Sequence, residues 1–378
     1  MYDQVKEDTP YIMLYAVVTA ISMIASCYLL FRRANAFAPD VTPPVRLRRW
    51  TAVFFAVIAL NHLWYMPIFF LTSSEDISLC DLIGGLLDFM TIFPVAIIVL
   101  LTMLQDRRRP LWPVFVMMAP IVAGGAVSVA TRSYALQPMG YIYFLLMCIG
   151  LVIYMVRALR QYGCWLRDNY ADLEHKEVWQ SFVVLAIILL TFVVYAFVTE
   201  GPVYQFAMQI IVIVLVSYLL WRVETLSDLS ISQEQYLPTE AEADSLASPT
   251  DTTENDDHGL SISIRNNIGS LLKQYCEEPQ LYLQHDISIS QLAERIGINR
   301  TYLSKYFALQ GISYNAYINR LRIQHFVNLY HEATATHQPV TAQLLAYQSG
   351  FRNYSTFSAA FKQCMGMTAT EWMRGTSL

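Results

Sequence analysis

Seven apolar runs, Tyr11–Phe31, Trp50–Leu71, Leu82–Leu104, Leu111–Ala130, Met139–Val156, Trp179–Val198 and Val203–Trp221, fill most of the amino-terminal part of the chain. Each is close to the roughly 20 residues that a helix needs to cross a hydrocarbon layer of ~30 Å. Inside a bilayer no water is present to satisfy peptide N–H and C=O groups, so segments of this length must be helical. Composition agrees: 55% hydrophobic and 15% charged residues, with a mean hydropathy of +0.37, are too apolar for a wholly soluble chain of 378 residues. The first run reads as a span and not as a cleaved leader. Asp3, Glu7 and Asp8 precede it against a single Lys, and no small-residue cleavage site comes after it.

Basic residues set the direction. Arg32, Arg33, Arg46, Arg48 and Arg49 follow the first run, Arg107, Arg108 and Arg109 the third, and Arg157, Arg160, Arg167 and Lys176 the fifth. The alternate connections hold Glu75, Asp76 and Asp81, then Arg132 alone, then Glu200. Positive charge stays on the cytoplasmic side. The expectation is a multi-pass protein of the cell (inner) membrane with its amino terminus outside and its carboxyl-terminal part in the cytoplasm, which seven spans satisfy and six or eight do not.

Ionisable groups within a bilayer are costly and mark function or packing. His62 in the second run and Asp88 in the third sit roughly 14 and 9 Å below the outer ends at ~1.5 Å per residue, so they can face one another. Two readings stay open. With Trp64, Tyr65, Tyr141, Tyr195 and Tyr204 around them they make an outward-opening ligand or proton site, with His62, Asp88 and Tyr65 as its polar members; or they make an interhelical hydrogen bond, and the aromatics form an interfacial belt.

From Glu224 to Leu260 the character changes: ten acidic residues, no Lys or Arg, and many Ser, Thr, Ala and Pro. Such a segment cannot bury a core and is expected to be a disordered tether, with a typical reach of about 30–35 Å. It acts as a solvated linker or as an acidic arm laid over a basic face. The chain thus divides into a membrane domain (1–223), a linker (224–260) and a last domain (261–378). That last part carries ten Arg and Lys against six Asp and Glu, a net of +4.

Within it, Ser288 and Gln291 have the spacing of a capping box at a helix start. Leu292, Ala293 and Ile296 share one helical face, Gly297 supplies a permissive helix end, and Asn299 can cap a second helix that turns Leu303, Tyr306 and Phe307 inward. The opposite face of the second helix shows Arg300, Thr301, Ser304 and Lys305. Short polar and cationic groups of this kind are what a helix needs to read base edges in a major groove. The pattern then recurs: Leu345, Ala346 and Gly350 repeat Leu292, Ala293 and Gly297 at an offset of 53, while Phe357, Ser358 and Phe361 repeat Leu303, Ser304 and Phe307 at 54. One residue has entered the second turn. Between the copies, Ser313 to Tyr330 is an amphipathic stretch able to act as a strut.

These residues, together with Gly311, Tyr317, Leu321-Arg322-Ile323, Phe351, Lys362, Gly366 and Arg374, resemble the AraC-type DNA-binding domain over roughly the last 115 residues. The resemblance implies an all-α domain with two helix-turn-helix repeats that binds promoter DNA and works with RNA polymerase. It carries base contacts over to Arg300, Thr301, Ser304 and Lys305, and to Tyr354, Ser355 and Ser358. Phe326 and Ala369 depart from the small Ala and the Pro usual in that family, so packing must adjust there; Ala359 stands where a polar or basic residue is common. Independently of the resemblance, Arg352 and Lys362 suit phosphate contacts, whereas the register of Arg322 makes it structural.

No Gly-rich phosphate loop, HExxH or G-x-S-x-G is present. The six Cys are scattered without CxxC, and His325, His331 and His337 do not share a helix face, so neither a metal nor a cofactor is expected. The expectation is an all-α, seven-helix membrane bundle joined by a linker to an AraC-type domain: a membrane-bound, non-enzymatic transcription regulator whose bundle senses a signal. Its expected partners are double-stranded DNA, lipid, a second copy of the chain, and a small or lipidic ligand. Two other classes fit the same residues: a transporter or membrane enzyme with a fused regulatory domain, and an inert anchor that releases a soluble factor by proteolysis.

Overall fold

The computed structural model describes residues 9–32, 35–39, 41–132, 137–198, 202–229 and 262–376. They form two compact units: Met1–Tyr162 with His175–Ile231, and Gly163–Glu174 with Ser232–Leu378. Most of the expected tether, from residue 230 to 260, lies outside the described residues.

The first unit contains α1 (Thr9–Phe31), α2 (Val45–Trp64), α3 (Ser74–Met103), α4 (Trp112–Thr131), α5 (Gln137–Asn169) as far as Tyr162, α6 (Trp179–Val198) and α7 (Pro202–Thr225). Every expected span falls on one of these helices, and five of them, α1, α3, α4, α5 and α7, are long and apolar enough to cross a membrane. In α2 the apolar stretch is shortened by Arg46, Arg48 and Arg49 at one end and by Asn61 and His62 at the other. Pro67 then ends that helix, and a 3₁₀ turn, Met66–Phe69, takes up the rest of the run expected to continue to Leu71. In α5 the opposite happens. Hydropathy stops at Val156, but Arg157, Ala158, Leu159, Arg160, Gln161 and Leu166 favour helix, no Pro intervenes and the lone Gly163 is carried, so the helix runs on to Asn169 and the expected basic loop is largely helical.

Buried Leu29, Phe55, Ile58, Val216 and Leu219 line the contacts of α1 with α2 and α7 and of α2 with α7. Outward, α5 exposes Tyr141, Ile142, Leu145, Leu146 and Ile149, an extended apolar face. The helix ends beside the basic connections are tied by polar groups. Glu224, fully buried, accepts from Tyr28 Oη at 3.2 Å and the Ala36 N–H at 3.1 Å and lies 3.8 Å from Arg48. Gln105 bonds the backbone of both Ser227 and Leu229, at 2.9 and 2.8 Å. Packed structure therefore continues a few residues past Glu224, where the composition changes.

The second unit is built of α8 (Ile262–Leu272), a π turn (Lys273–Glu277), a 3₁₀ turn (Leu281–Leu283), α9 (Ile289–Ile296), α10 (Arg300–Leu309), α11 (Tyr314–Ala335), α12 (Ala342–Gln348), α13 (Tyr354–Met365) and α14 (Ala369–Thr376). Two cores flank α11. Its first turns give Tyr314 and Ile318 to a core with Leu272, Ile289, Leu292, Leu303 and Phe307; its later turns give Ile323 and Phe326 to a core with Leu345, Phe351, Phe357 and Phe361. At 22 residues, α11 is a strut about 33 Å long. Phe326, large where the AraC pattern has a small residue, is accommodated by aromatic packing: its ring lies 4.6 Å from Phe357 and 5.4 Å from Phe361.

The turn between the segment 281–285 and the second core has no slack. Gly350 has φ +85°, and a Cβ there would lie 2.7 Å from Leu283 Cα and 2.8 Å from the Leu283 carbonyl oxygen. Gly297, its counterpart in the first copy, has φ +76° but open space around it. We predict that Gly350→Ala destabilises the second unit by about 3 kcal/mol or more, because strain and a backbone clash add, whereas Gly297→Ala costs about 1–2 kcal/mol from strain alone. Hydrogen exchange of α12 and α13 amides in the full-length protein reads the difference.

Candidate nucleic-acid interface

Each helix-turn-helix copy is assembled from local hydrogen bonds that its sequence encodes. In the first, the Ser288 N–H donates to Gln291 Oε1 at 2.9 Å and the Gln291 N–H to Ser288 Oγ at 3.3 Å, a complete capping box on α9. Gly297 turns the chain, and Asn299 Oδ1 accepts the Thr301 N–H at 2.8 Å to start α10. In the second copy Thr341 caps α12, and Asn353 Oδ1 accepts the Thr356 N–H at 2.8 Å to start α13. From Gly297 to its following cap is two residues and from Gly350 to Asn353 is three. Phe351, directly after Gly350, is fully buried in the second core as Ile298 packs on the first, and the extra residue falls after it, where Arg352 is exposed.

With Leu303 and Phe307 buried, α10 presents Thr301, Ser304 and Lys305 to solvent. Arg300, at the first turn of the same helix, is half-buried and its Nη2 donates to Asn169 Oδ1. On α13, Ser355 is exposed, and Tyr354 and Ser358 are half-buried; Tyr354 packs on Phe357 at 5.5 Å, and Ser355 Oγ donates to Asn353 Oδ1 at 2.8 Å. Ala359 is exposed on the same helix and offers no polar group. Lys362 is exposed. Arg352 lies 3.6 Å from Asp286, both well exposed, a contact that solvent screens.

Arg322 belongs to the interior. At 2% exposure it donates from Nε to the Tyr282 carbonyl at 2.7 Å and from Nη2 to the carbonyls of Gln284 and His285 at 2.8 and 3.1 Å, with Phe351 5.5 Å from its guanidinium. Burial lowers its pKa from the ordinary value, and Asp172 and Asp286 oppose that shift. Burial likewise pushes the Cys276 thiol up to about 12, so it stays protonated in the core. Among the described residues no group of three or more His, Cys, Asp or Glu could hold a metal.

In the first unit, the residues expected to pair directly take separate partners. Both ring nitrogens of His62 are engaged, Nδ1 with the Ile58 carbonyl at 2.8 Å and Nε2 with Gln209 Oε1 at 3.1 Å. Asp88 accepts from Trp64 Nε1 and Tyr65 Oη, each at 2.9 Å. Gly84, one helical turn before Asp88, makes room for this, since a Cβ there would run into the Tyr65 ring. Gln209 was legible as a polar residue inside the seventh apolar run. Tyr141 is 65% exposed and does not line the cluster, and the side chains of Tyr195 and Tyr204 lie outside the described residues.

Comparison with known proteins bears on the second unit alone. A protein-family profile described as a helix-turn-helix domain matches residues 292–375. An uncharacterized HTH-type transcriptional regulator of Staphylococcus aureus strain MRSA252 is 29% identical over 102 residues, 27% of this chain and 13% of the relative. A second regulator so named, also from Staphylococcus aureus, is 30% identical over the same share of each chain. The chain thus spans about an eighth of the length of these curated relatives. No solved structure matches the chain. The carboxyl-terminal part carries a helix-turn-helix domain of the kind found in transcriptional regulators.

Arg322 of α11 and Arg352 of the second copy should separate cleanly on substitution. Arg322→Met removes three hydrogen bonds, one of them to the buried Tyr282 carbonyl, and should lower stability by about 3 kcal/mol, while Arg352→Gln should change it by less than about 0.5 kcal/mol. Thermal unfolding of the full-length protein in detergent micelles measures both.

Proposed function

We propose that this chain is a membrane-bound transcription regulator that binds promoter DNA through two AraC-type helix-turn-helix copies. The observation that carries the reading is α10: a capped helix seated by Leu303 and Phe307 with Thr301, Ser304 and Lys305 on its open face. Thr301, Ser304, Lys305 and Arg300 take base edges in one groove segment; Tyr354, Ser355 and Ser358 take the next, and Arg352 and Lys362 take phosphate. The exposed Ala359 makes α13 the weaker reader. The lipid-facing assignment of the first unit rests on the apolar face of α5 and on the five helices able to cross a membrane. The basic connections then lie in the cytoplasm, residues 230–260 tether the reader to the membrane, and the partners are DNA, RNA polymerase and lipid, with pairing of two copies on adjacent half-sites.

The polar cluster of His62, Gln209, Asp88, Trp64 and Tyr65 is the reading's sensing element for a small or lipidic ligand. Its support is burial of His62 and convergence of two indole and phenol donors on one carboxylate.

The reading predicts that the full-length protein in lipid nanodiscs binds a selected duplex with an affinity that falls steeply with salt. Arg352→Gln or Lys362→Ala, each removing a phosphate contact, should reduce the slope of log K against log salt by about 1. Ser304→Ala should weaken the selected duplex by roughly 1 kcal/mol or more and leave an unrelated duplex unchanged. Equal losses on both duplexes, or binding insensitive to salt, would contradict the assignment.

A further inference from the structure

The second unit contains twelve residues that do not belong to the carboxyl-terminal part of the chain: Gly163–Glu174, the end of α5 and the short connection after it. Four of them, Asn169, Tyr170, Ala171 and Asp172, are each at most 8% exposed. Ala171 is 1% exposed and packs with Ile287, Ile289 and Tyr314 in the core of the first helix-turn-helix. Tyr170 pairs with Ser288 as an antiparallel bridge, and the Ala171 N–H donates to the Ile287 carbonyl at 3.1 Å. Asn315 Nδ2, at the start of α11, donates to the Ala171 carbonyl at 2.6 Å and sits 3.4 Å from that of Tyr170. Asn169, 8% exposed, supplies the acceptor for Arg300.

The contact is thus built from backbone pairing, a buried methyl group and an amide at the first turn of α10. That last element matters most. Arg300 has a planar set of donors suited to the two acceptors of a guanine edge or to a phosphate, and the Asn169 amide oxygen occupies part of it. A DNA duplex seated on α10 would have to displace this segment from the same guanidinium.

We propose that Asn169–Asp172 is an intramolecular competitor for the DNA-reading surface: a strap whose docked form withholds Arg300 and whose release opens the helix-turn-helix to DNA. It rests on the DNA-binding reading above. The strap closes and follows α5, thirteen residues past the end of its apolar stretch. The occupant of the surface is this chain itself, so apparent affinity is the intrinsic affinity multiplied by the fraction of molecules with the strap released.

The test uses the full-length protein in nanodiscs and a duplex recovered from random-sequence DNA on the Asn169→Ala chain. Asn169→Ala removes the acceptor for Arg300 while leaving the reader intact, and should tighten binding about fivefold, the weight of one hydrogen bond. A second variant locks the strap. Tyr170 and Ser288 form the closely spaced, non-hydrogen-bonded type of pair that accepts a disulfide, so Tyr170→Cys with Ser288→Cys should crosslink on oxidation, and the oxidised form should bind about tenfold or more weaker than the reduced form of the same variant, which shares its loss of the Ser288 cap; the unaltered chain taken through the same cycle should not change. Unchanged or weaker binding by Asn169→Ala, failure of the cysteine pair to crosslink, or full affinity in the crosslinked form each overturns the strap. If no variant, reduced or oxidised, binds any duplex above background, the DNA-binding reading itself fails and the strap falls with it.

Discussion

Arg322 lies where the two halves of the second unit meet. Its side chain comes from the middle of α11, and its donors reach three carbonyls of the segment 282–285, which belongs to the first half. The same segment touches the second half a second time, through Gly350: Leu283 backbone packs against the glycine, and His285 Nδ1 bonds the Gly350 carbonyl at 3.0 Å. A guanidinium at 2% exposure is tolerable because three carbonyls accept from it. The consequence is orientation. Two small cores, each unable to fix the other through apolar contact alone, are set in register by one cation and one close backbone approach, so the open faces of α10 and α13 are held in a defined relation along α11.

What could be read from the residues and what could not divides by range. The capping box at Ser288, the turn at Gly297 and the cap at Asn299 are local: each depends on neighbours within four positions, and each is found in the structure. The extra residue in the second turn was legible as a shift in offset; the folded cores place it between Phe351, which stands where Ile298 stands in the first copy, and the cap at Asn353. Gly350 looked like a second Gly297, and the Leu283 backbone beside it, 67 positions away in sequence, leaves no trace in any local pattern.

In the first unit, hydropathy marked the helices but misjudged their ends. It has no term for a helix that continues once the apolar face stops, and α5 does so for thirteen residues past Val156. Depth alone suggested that His62 and Asp88 meet. Packing instead gives His62 to Gln209 and Asp88 to Trp64 and Tyr65, since an imidazole already bonded to its own helix at Ile58 points its remaining nitrogen along a fixed direction. Arg300 is the site residue whose surroundings were least accessible from the chain, its partner Asn169 being 131 positions distant.

The central claim is that one chain both resides in a bilayer and holds DNA. Flotation tests it most directly: full-length protein is reconstituted into vesicles, mixed with labelled duplex outside, and centrifuged through a density gradient at low and high salt. The account predicts that duplex rises with the vesicles at low salt, is released at high salt, and fails to rise when Ser304 and Lys305 are both Ala. Protein floating while the duplex stays at the bottom under every condition, or protein that does not float at all, would contradict it.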